Sequence, residues 1–315
     1  MPTAQTDGLT MRYKLTIEYV GTLFQGWQIQ GTDPTVQKIL MDAFQEINDP
    51  VTIVYGAGRT DAGVHALGQV AHVDLCRAWD PFRLQQALNT FLREKGVSIV
   101  GCQRVQGPRP GALSQYTLSL LPQGNNSSVD TTPDVLPYDP VVFHARFSAT
   151  CRHYVYHILN RDAVLALDQD RCWQVFQHLD VAAMVRAAKI FVGSYDFSVF
   201  RSRKCQSASA VRTVRRVDIE AVGQKIHIHI SSQSFLHHQV RFMVGALKWI
   251  GEGRWTEDDL IMRLPPKDYS KDNGGQAWAF PVTNMAPLAP AYGLYLKHVE
   301  YGSDYSVVAD NGGSA

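Results

Sequence analysis

The chain has 315 residues, 30 Lys+Arg against 29 Asp+Glu, and a formal net charge of +1. That balance excludes a histone-like polycation and an acidic solvating chain, but not a nucleic-acid binder, since a local basic patch can sit in a neutral whole. Hydrophobic residues make up 45% and charged residues 19%, a globular composition with length for two domains or one large one.

Residues 1–11 are polar and hold no apolar run of the kind a secretory signal needs, so we expect a loose tail and a cytoplasmic location. The first strand follows, with Tyr13, Leu15, Ile17 and Tyr19 alternating with Lys14, Thr16 and Glu18. Asp33-Pro34 opens a helix whose apolar positions Val36, Ile39, Leu40, Ala43, Phe44 and Ile47 keep the 3.6-residue period. Next come a β-branched strand over 51–55, a glycine-rich loop over 56–63 and a strand over 69–75. A helix from Asp80-Pro81, with Leu84, Leu88 and Phe91 on one face, and a strand over 97–105 complete a first half spanning 12–106. Strand, helix, two strands, helix, strand is the split βαβ or ferredoxin-like order.

Residues 107–140 are rich in Pro, Gly, Ser and Asn and read as a linker or insertion loop. The second half, 141–302, repeats the theme. It has a strand over 153–159 and a helix capped by Asp180, with Met184, Ala187, Ala188 and Phe191 inward and Gly193 as its stop. A hairpin turns at Gly223-Gln224. A strong helix spans 235–251, a polar aromatic segment without an assigned element spans 267–286, a last strand spans 293–301, and a second tail covers 303–315. The predicted class is α+β: two ferredoxin-like (split βαβ) halves with antiparallel sheets joined around a central cleft.

The cysteines are Cys76, Cys102, Cys151, Cys172 and Cys205, an odd number with no C-x-x-C pair. A disulfide framework and a four-thiolate zinc site are therefore not expected, and a reducing compartment is. No apolar run reaches membrane-helix length. His144, His157, His237 and His238 lack a third ligand at zinc spacing and read as structural histidines, so neither a metal nor an organic cofactor is expected.

Chemistry concentrates in Gly56-Ala57-Gly58-Arg59-Thr60-Asp61-Ala62-Gly63. Glycines allow sharp turns and close approach to a ligand, and a carboxylate at the end of a strand is placed to act as nucleophile or base. A plain turn with a local Arg59–Asp61 ion pair is an equal reading of the same residues. The loop fits neither a P-loop, lacking Gly-Lys-Ser/Thr, nor a dinucleotide fingerprint, since a strand follows it. Arg201, Arg203, Lys204, Arg212, Arg215 and Arg216 fall in a stretch without an acidic residue. It is either a solvated face or a phosphate-binding one, and the local imbalance favours the second. His237, Arg241 and Gly245 share an i, i+4 stripe.

Several segments, in order, resemble the tRNA pseudouridine synthase A family. They are Phe24-Gln25-Gly26-Trp27-Gln28, Gly58-Arg59-Thr60-Asp61-Ala62-Gly63-Val64-His65-Ala66 and Phe143-His144-Ala145-Arg146-Phe147-Ser148-Ala149. Tyr154-x-Tyr156, Asp196-Phe197, Phe235-Leu236-His237-His238-Gln239-Val240-Arg241 and Gly293-Leu294-Tyr295-Leu296 continue the series. The resemblance spans about residues 12–301. It implies a pseudouridine synthase fold and a reaction on tRNA uridine: the C1′–N1 bond breaks, the base rotates, and C5 is joined instead. It also implies a homodimer acting on the 3′ side of the anticodon stem-loop. Asp61 matches the catalytic nucleophile, Arg241 its basic partner, and Tyr154 the active-site tyrosine. Arg59 matches a side chain entering the RNA stack, with Thr60 beside it in the motif, and Leu294 an apolar residue under the base. From residue type alone, Tyr154 reads better as a core tyrosine on its strand, and Leu294 simply as core. Two other classes compete. A non-catalytic RNA-binding module of the same fold would have no use for the carboxylate, and a glycosidase-type hydrolase lacks a second carboxylate at a motif position.

Overall fold

The computed structural model describes residues 10–51, 53–107, 142–266, 268 and 286–302. The two expected tails apart from residues 10 and 11, nearly all of the 107–140 loop and most of the 267–286 segment lie outside them.

The first half forms β1 (Met11–Tyr19), α1 (Val36–Glu46), β2 (Tyr55–Gly56), β3 (His65–Leu75), α2 (Pro81–Leu92) and β4 (Val97–Val105). Side-chain caps fix both helix starts. Thr35 accepts from the Lys38 N–H, and Asp80 accepts from the Arg83 N–H with a proline in the first turn. The second half forms β5 (Ala149–Asn160), β6 (Trp173–Val175), α3 (Val181–Ala188), β7 (Gly193–Asp196), β8 (Val211–Val222), β9 (Lys225–Ser232), α4 (Gln239–Gly251), α5 (Glu257–Ile261) and β10 (Leu294–Tyr301). Asp180 caps α3 by accepting from the Ala183 N–H. Gly223, at φ 59°, makes the hairpin turn between β8 and β9.

The two halves share one continuous sheet in the order β4-β1-β3-β10-β5-β9-β8-β7, with β2 added on β3 and β6 on β5. The last strand enters between the halves. It pairs parallel with β3 over Tyr295↔His65 and Leu296↔Ala66, and antiparallel with β5 along Leu294↔Tyr156 and Leu296↔Tyr154. One core covers one sheet face. Tyr13, Leu15 and Ile17 meet Leu40, Phe44, Leu84 and Leu88 there, and Tyr156, Ile228 and Ile230 meet Met243, Val244 and Leu247. Strand alternation turns the intervening residues, including His153, His157 and His229, to the other face.

Two predicted elements shrink. The 51–55 strand is reduced to β2, which pairs with β3 only through Tyr55↔His72 and Gly56↔Ala71. The 235–251 helix begins at Gln239, because His238 adopts a left-handed φ of 67° that an α-helix cannot continue through.

Several histidines are held neutral by their surroundings. The buried His72 ring stacks on Tyr55, and its Nδ1 accepts the Ala145 N–H at 3.1 Å. Burial, then Arg12 and His144, hold its pKa well below the usual value. Burial likewise lowers His65, His144 and His157 to about 4. Below pH 6.5 the unfolded chain therefore binds more protons than the native one, and stability falls as pH drops from about 7 towards 4. The urea midpoint is expected to fall over this window, and His72→Asn, which keeps an acceptor but cannot titrate, should flatten the fall. An unchanged slope in the variant would remove His72 from the acid response.

Candidate active site

The glycine-rich loop between β2 and β3 is shaped by its neighbours. The Trp27 N–H donates to Thr60 O at 3.1 Å and the Gly63 N–H to Phe24 O at 3.3 Å, so the Phe24–Gln28 motif forms its floor. Gln69 Nε2 donates to Gly58 O at 2.7 Å. The approach is close enough to require glycine at Gly21, where a Cβ would lie 1.9 Å from Val64 O, and at Gly26, which also has φ +90°. Thr60 turns inward and shares a 2.7 Å hydrogen bond with Tyr19, while Arg59 is exposed on the same loop. Thr60 is thus built into the loop's support, and the next residue, Asp61, faces the cleft with 19% of its side chain exposed.

Three groups from the second half surround that carboxylate. Arg241 Nη1 donates to Oδ2 at 3.4 Å, His237 Nε2 lies 3.4 Å from Oδ1, and His238 Nε2 lies 3.5 Å from Oδ2. Arg241 is itself held by Ala289 O, which accepts from Nε at 2.7 Å. The strained left-handed backbone at His238 directs the histidine pair and starts α4 at the same point. Burial holds His238 below the usual imidazole range despite the pull of Asp61, so Arg241 carries the permanent charge. Asp61, His237 and His238 could together offer three metal ligands, but the guanidinium already beside Oδ2 opposes a dication.

Tyr154 projects from β5 on the same sheet face and meets Phe235 edge-on, ring centroids 5.4 Å apart. Its hydroxyl lies against Gly58, where a Cβ would stand 3.9 Å away. Burial pushes its pKa up to about 12, against the pull of Arg152, so the phenol keeps its proton at neutral pH. Arg152 donates through Nε and Nη2 to Ala57 O at 3.1 and 2.7 Å, tying β5 to the loop.

The structure therefore unites Asp61, Tyr154 and Arg241, which lie far apart in sequence. Leu294 is buried on β10 opposite Tyr156, next to the Leu296–Tyr154 pair. The Ser202 N–H donates to His237 O at 2.9 Å, which brings the backbone of 201–204 beside the site; Arg203 and Lys204 are exposed there, and Arg201 Nη1 donates to Ser207 O. The structure does not bring Arg215 and Arg216 there. A bulge between Val214 and Arg216 breaks the register of β8. Arg215 then meets Cys151, and Arg216 pairs with Asp218, both on the opposite sheet face. Sequence reasoning assigned no role at Asp61 to Arg152, His237 or His238. Only the i, i+4 stripe through His237 and Arg241 pointed towards one of them.

Comparison with known proteins places the chain among the pseudouridine synthases. The chain belongs to that family: residues 15–105 and 187–302 match its model, described as tRNA pseudouridine synthase. It is 43% identical over 290 residues to the tRNA pseudouridine synthase A of Xanthobacter autotrophicus, covering 92% of this chain and 99% of that protein. The protein of the same name from Azorhizobium caulinodans is also 43% identical, over 92% and 94% of the two chains. That from Beijerinckia indica subsp. indica is 41% identical, again over 92% and 94%.

The support of the loop generates a test. Gly21→Ala forces a Cβ against the Val64 carbonyl and should destabilise the protein by about 2 kcal/mol. A urea midpoint matching wild type would show that the loop floor yields freely.

Proposed function

We infer that this chain isomerises uridine to pseudouridine in tRNA with Asp61 as nucleophile. The carrying observation is the Asp61 carboxylate, poised between Arg241, His237 and His238 at 3.4–3.5 Å. A carboxylate is a competent nucleophile, and the Arg241 guanidinium beside Oδ2 fixes its position. The long contacts leave lone pairs of the carboxylate available for attack. The carboxylate bonds to the ribose or to the base, the C1′–N1 bond breaks, the uracil rotates, C5 bonds to C1′, the carboxylate is released, C5 loses its proton and N1 gains one. Atoms and charge balance without an external reactant.

Tyr154 offers the flipped base a flat face and a protonated hydroxyl for proton traffic at C5. Leu294 supports the base from below, and Arg59 enters the stack that the uridine leaves. Arg201, Arg203 and Lys204 hold backbone phosphates at the rim. The substrate region is the 3′ side of the anticodon stem-loop, and the enzyme works as a cytoplasmic homodimer.

Two measurements test this. Asp61→Asn should lower product formation on uridine-labelled tRNA more than about a thousandfold while tRNA binding persists. Appreciable product in the variant would dismiss Asp61 as nucleophile, and tRNA binding without product in wild type would favour a non-catalytic binding module. The double variant Arg203→Ala with Lys204→Ala should reduce the slope of log affinity against log salt by about 2. An unaltered slope would take this rim out of the RNA interface.

A further inference from the structure

The sheet face opposite the active site carries a second cluster that uridine chemistry does not use. β5 and β10 place four potential ligands there in two facing pairs: Cys151 opposite Glu300, and His153 opposite His298. Such cross-strand neighbours on one face lie close enough to share a ligand. A groove of about 470 Å³ runs past them, lined in part by His153, His229, His298 and Glu300.

Donor atoms of Cys151, His153 and Glu300 all lie within 4.8 Å of one another. His153 Nε2 is 2.8 Å from Glu300 Oε1, and His298 Nε2 is 3.7 Å from the same oxygen. The two imidazoles stack at 3.9 Å, 7° from parallel, with both Nε2 atoms presented to that carboxylate. His153 Nε2 is sealed from solvent and has the Glu300 carboxylate as its neighbour, at an angle poor for a hydrogen bond. One carboxylate and two imidazoles thus converge beside a buried thiol.

We propose that Cys151, His153, His298 and Glu300 form a structural zinc site. One thiolate, two imidazoles and one carboxylate make a four-donor set suited to zinc, and the two anions neutralise the ion. Donors around tetrahedral zinc stand about 3.3–3.8 Å apart, so the Cys151, His153 and Glu300 donors must draw in by about 1 Å, and the His298 ring, stacked on His153, must turn to aim its Nε2 at the same ion. Binding displaces the thiol proton to solvent and requires no redox partner. Arg215 lies against the Cys151 sulfur and competes for it, but Arg215 is exposed and its side chain can turn to water. The site sits directly behind Tyr154, which follows His153 on β5 and points to the other face. A bound ion would pin β5 to β10 between the two bulges in their pairing.

Cobalt(II) titration of the full, metal-stripped chain reads the site. The expected result is one ion per chain, with tetrahedral d–d bands and a sulfur-to-cobalt charge-transfer band. Cys151→Ser should abolish the charge-transfer band, and His298→Gln, at a half-exposed position, should weaken binding more than about tenfold. Zinc should raise the melting temperature of wild type but not of Cys151→Ser. Retention of the sulfur band in Cys151→Ser, or wild-type affinity in a folded His298→Gln protein, would overturn the proposal. So would cobalt bound without any sulfur band, which would move the ion to oxygen and nitrogen ligands such as Asp61, His237 and His238.

Discussion

The arrangement depends on β10 being inserted between β3 and β5. Each half carries part of the site: the Asp61 loop leads into β3, while Tyr154 stands on β5 and Arg241 on α4. Neither half can bring its groups to the other unless the two sheets share strands. Two parallel residue pairs to β3 and a longer antiparallel ladder to β5 make that junction. Side chains reinforce it from both directions, since Arg152 reaches Ala57 O and Tyr295 OH donates to Arg171 O. A shift of one residue in the β10 ladder would turn Tyr154's neighbours over to the wrong face.

Within this frame the electrostatics divide the labour. Asp61 has one permanent cation and two imidazoles, none closer than 3.4 Å. Shorter, fully formed ion pairs would hold the carboxylate more firmly but occupy the lone pairs a nucleophile needs. Tyr154 is the complementary case. Its burial suppresses ionisation, so it presents a neutral phenol to whatever stacks against it. The rim at Arg201–Lys204 is strapped to His237 through one backbone hydrogen bond, which couples the place where a backbone phosphate would rest to the group beside the carboxylate.

Much of the fold was legible because caps and periodicity act locally. Asp80, Asp180 and Gly223 sit at the boundaries their chemistry predicts, β4 spans the expected residues, and the first helix starts after Thr35, just beyond the Asp33-Pro34 signal. What stayed hidden depended on distant partners. The 51–55 strand had the right residues but finds little pairing. The 235–251 helix starts late because His238 takes a conformation that no propensity rule assigns to histidine. The basic run divides between two faces because of a bulge in β8, which charge counting does not register. Asp61 was visible as a candidate, but the arginine and two imidazoles around it come from beyond residue 236. The Cys151–Glu300 and His153–His298 pairs span about half the sequence, outside any metal-ligand spacing rule.

The position of β10 also bears on how the molecule comes to life. It follows every other described strand in the chain. Without it, β3 keeps its ladder to β1 and β5 its ladder to β9, but each strand presents an open backbone edge on its other side. The carboxylate and the tyrosine are then present without a common frame. A chain not yet extended through residues 294–301 lacks the strand that joins the two halves, and its open strand edges are surfaces a neighbouring chain can pair with. Maturation of the active centre is in this sense a single late event, completed when one strand fills one gap.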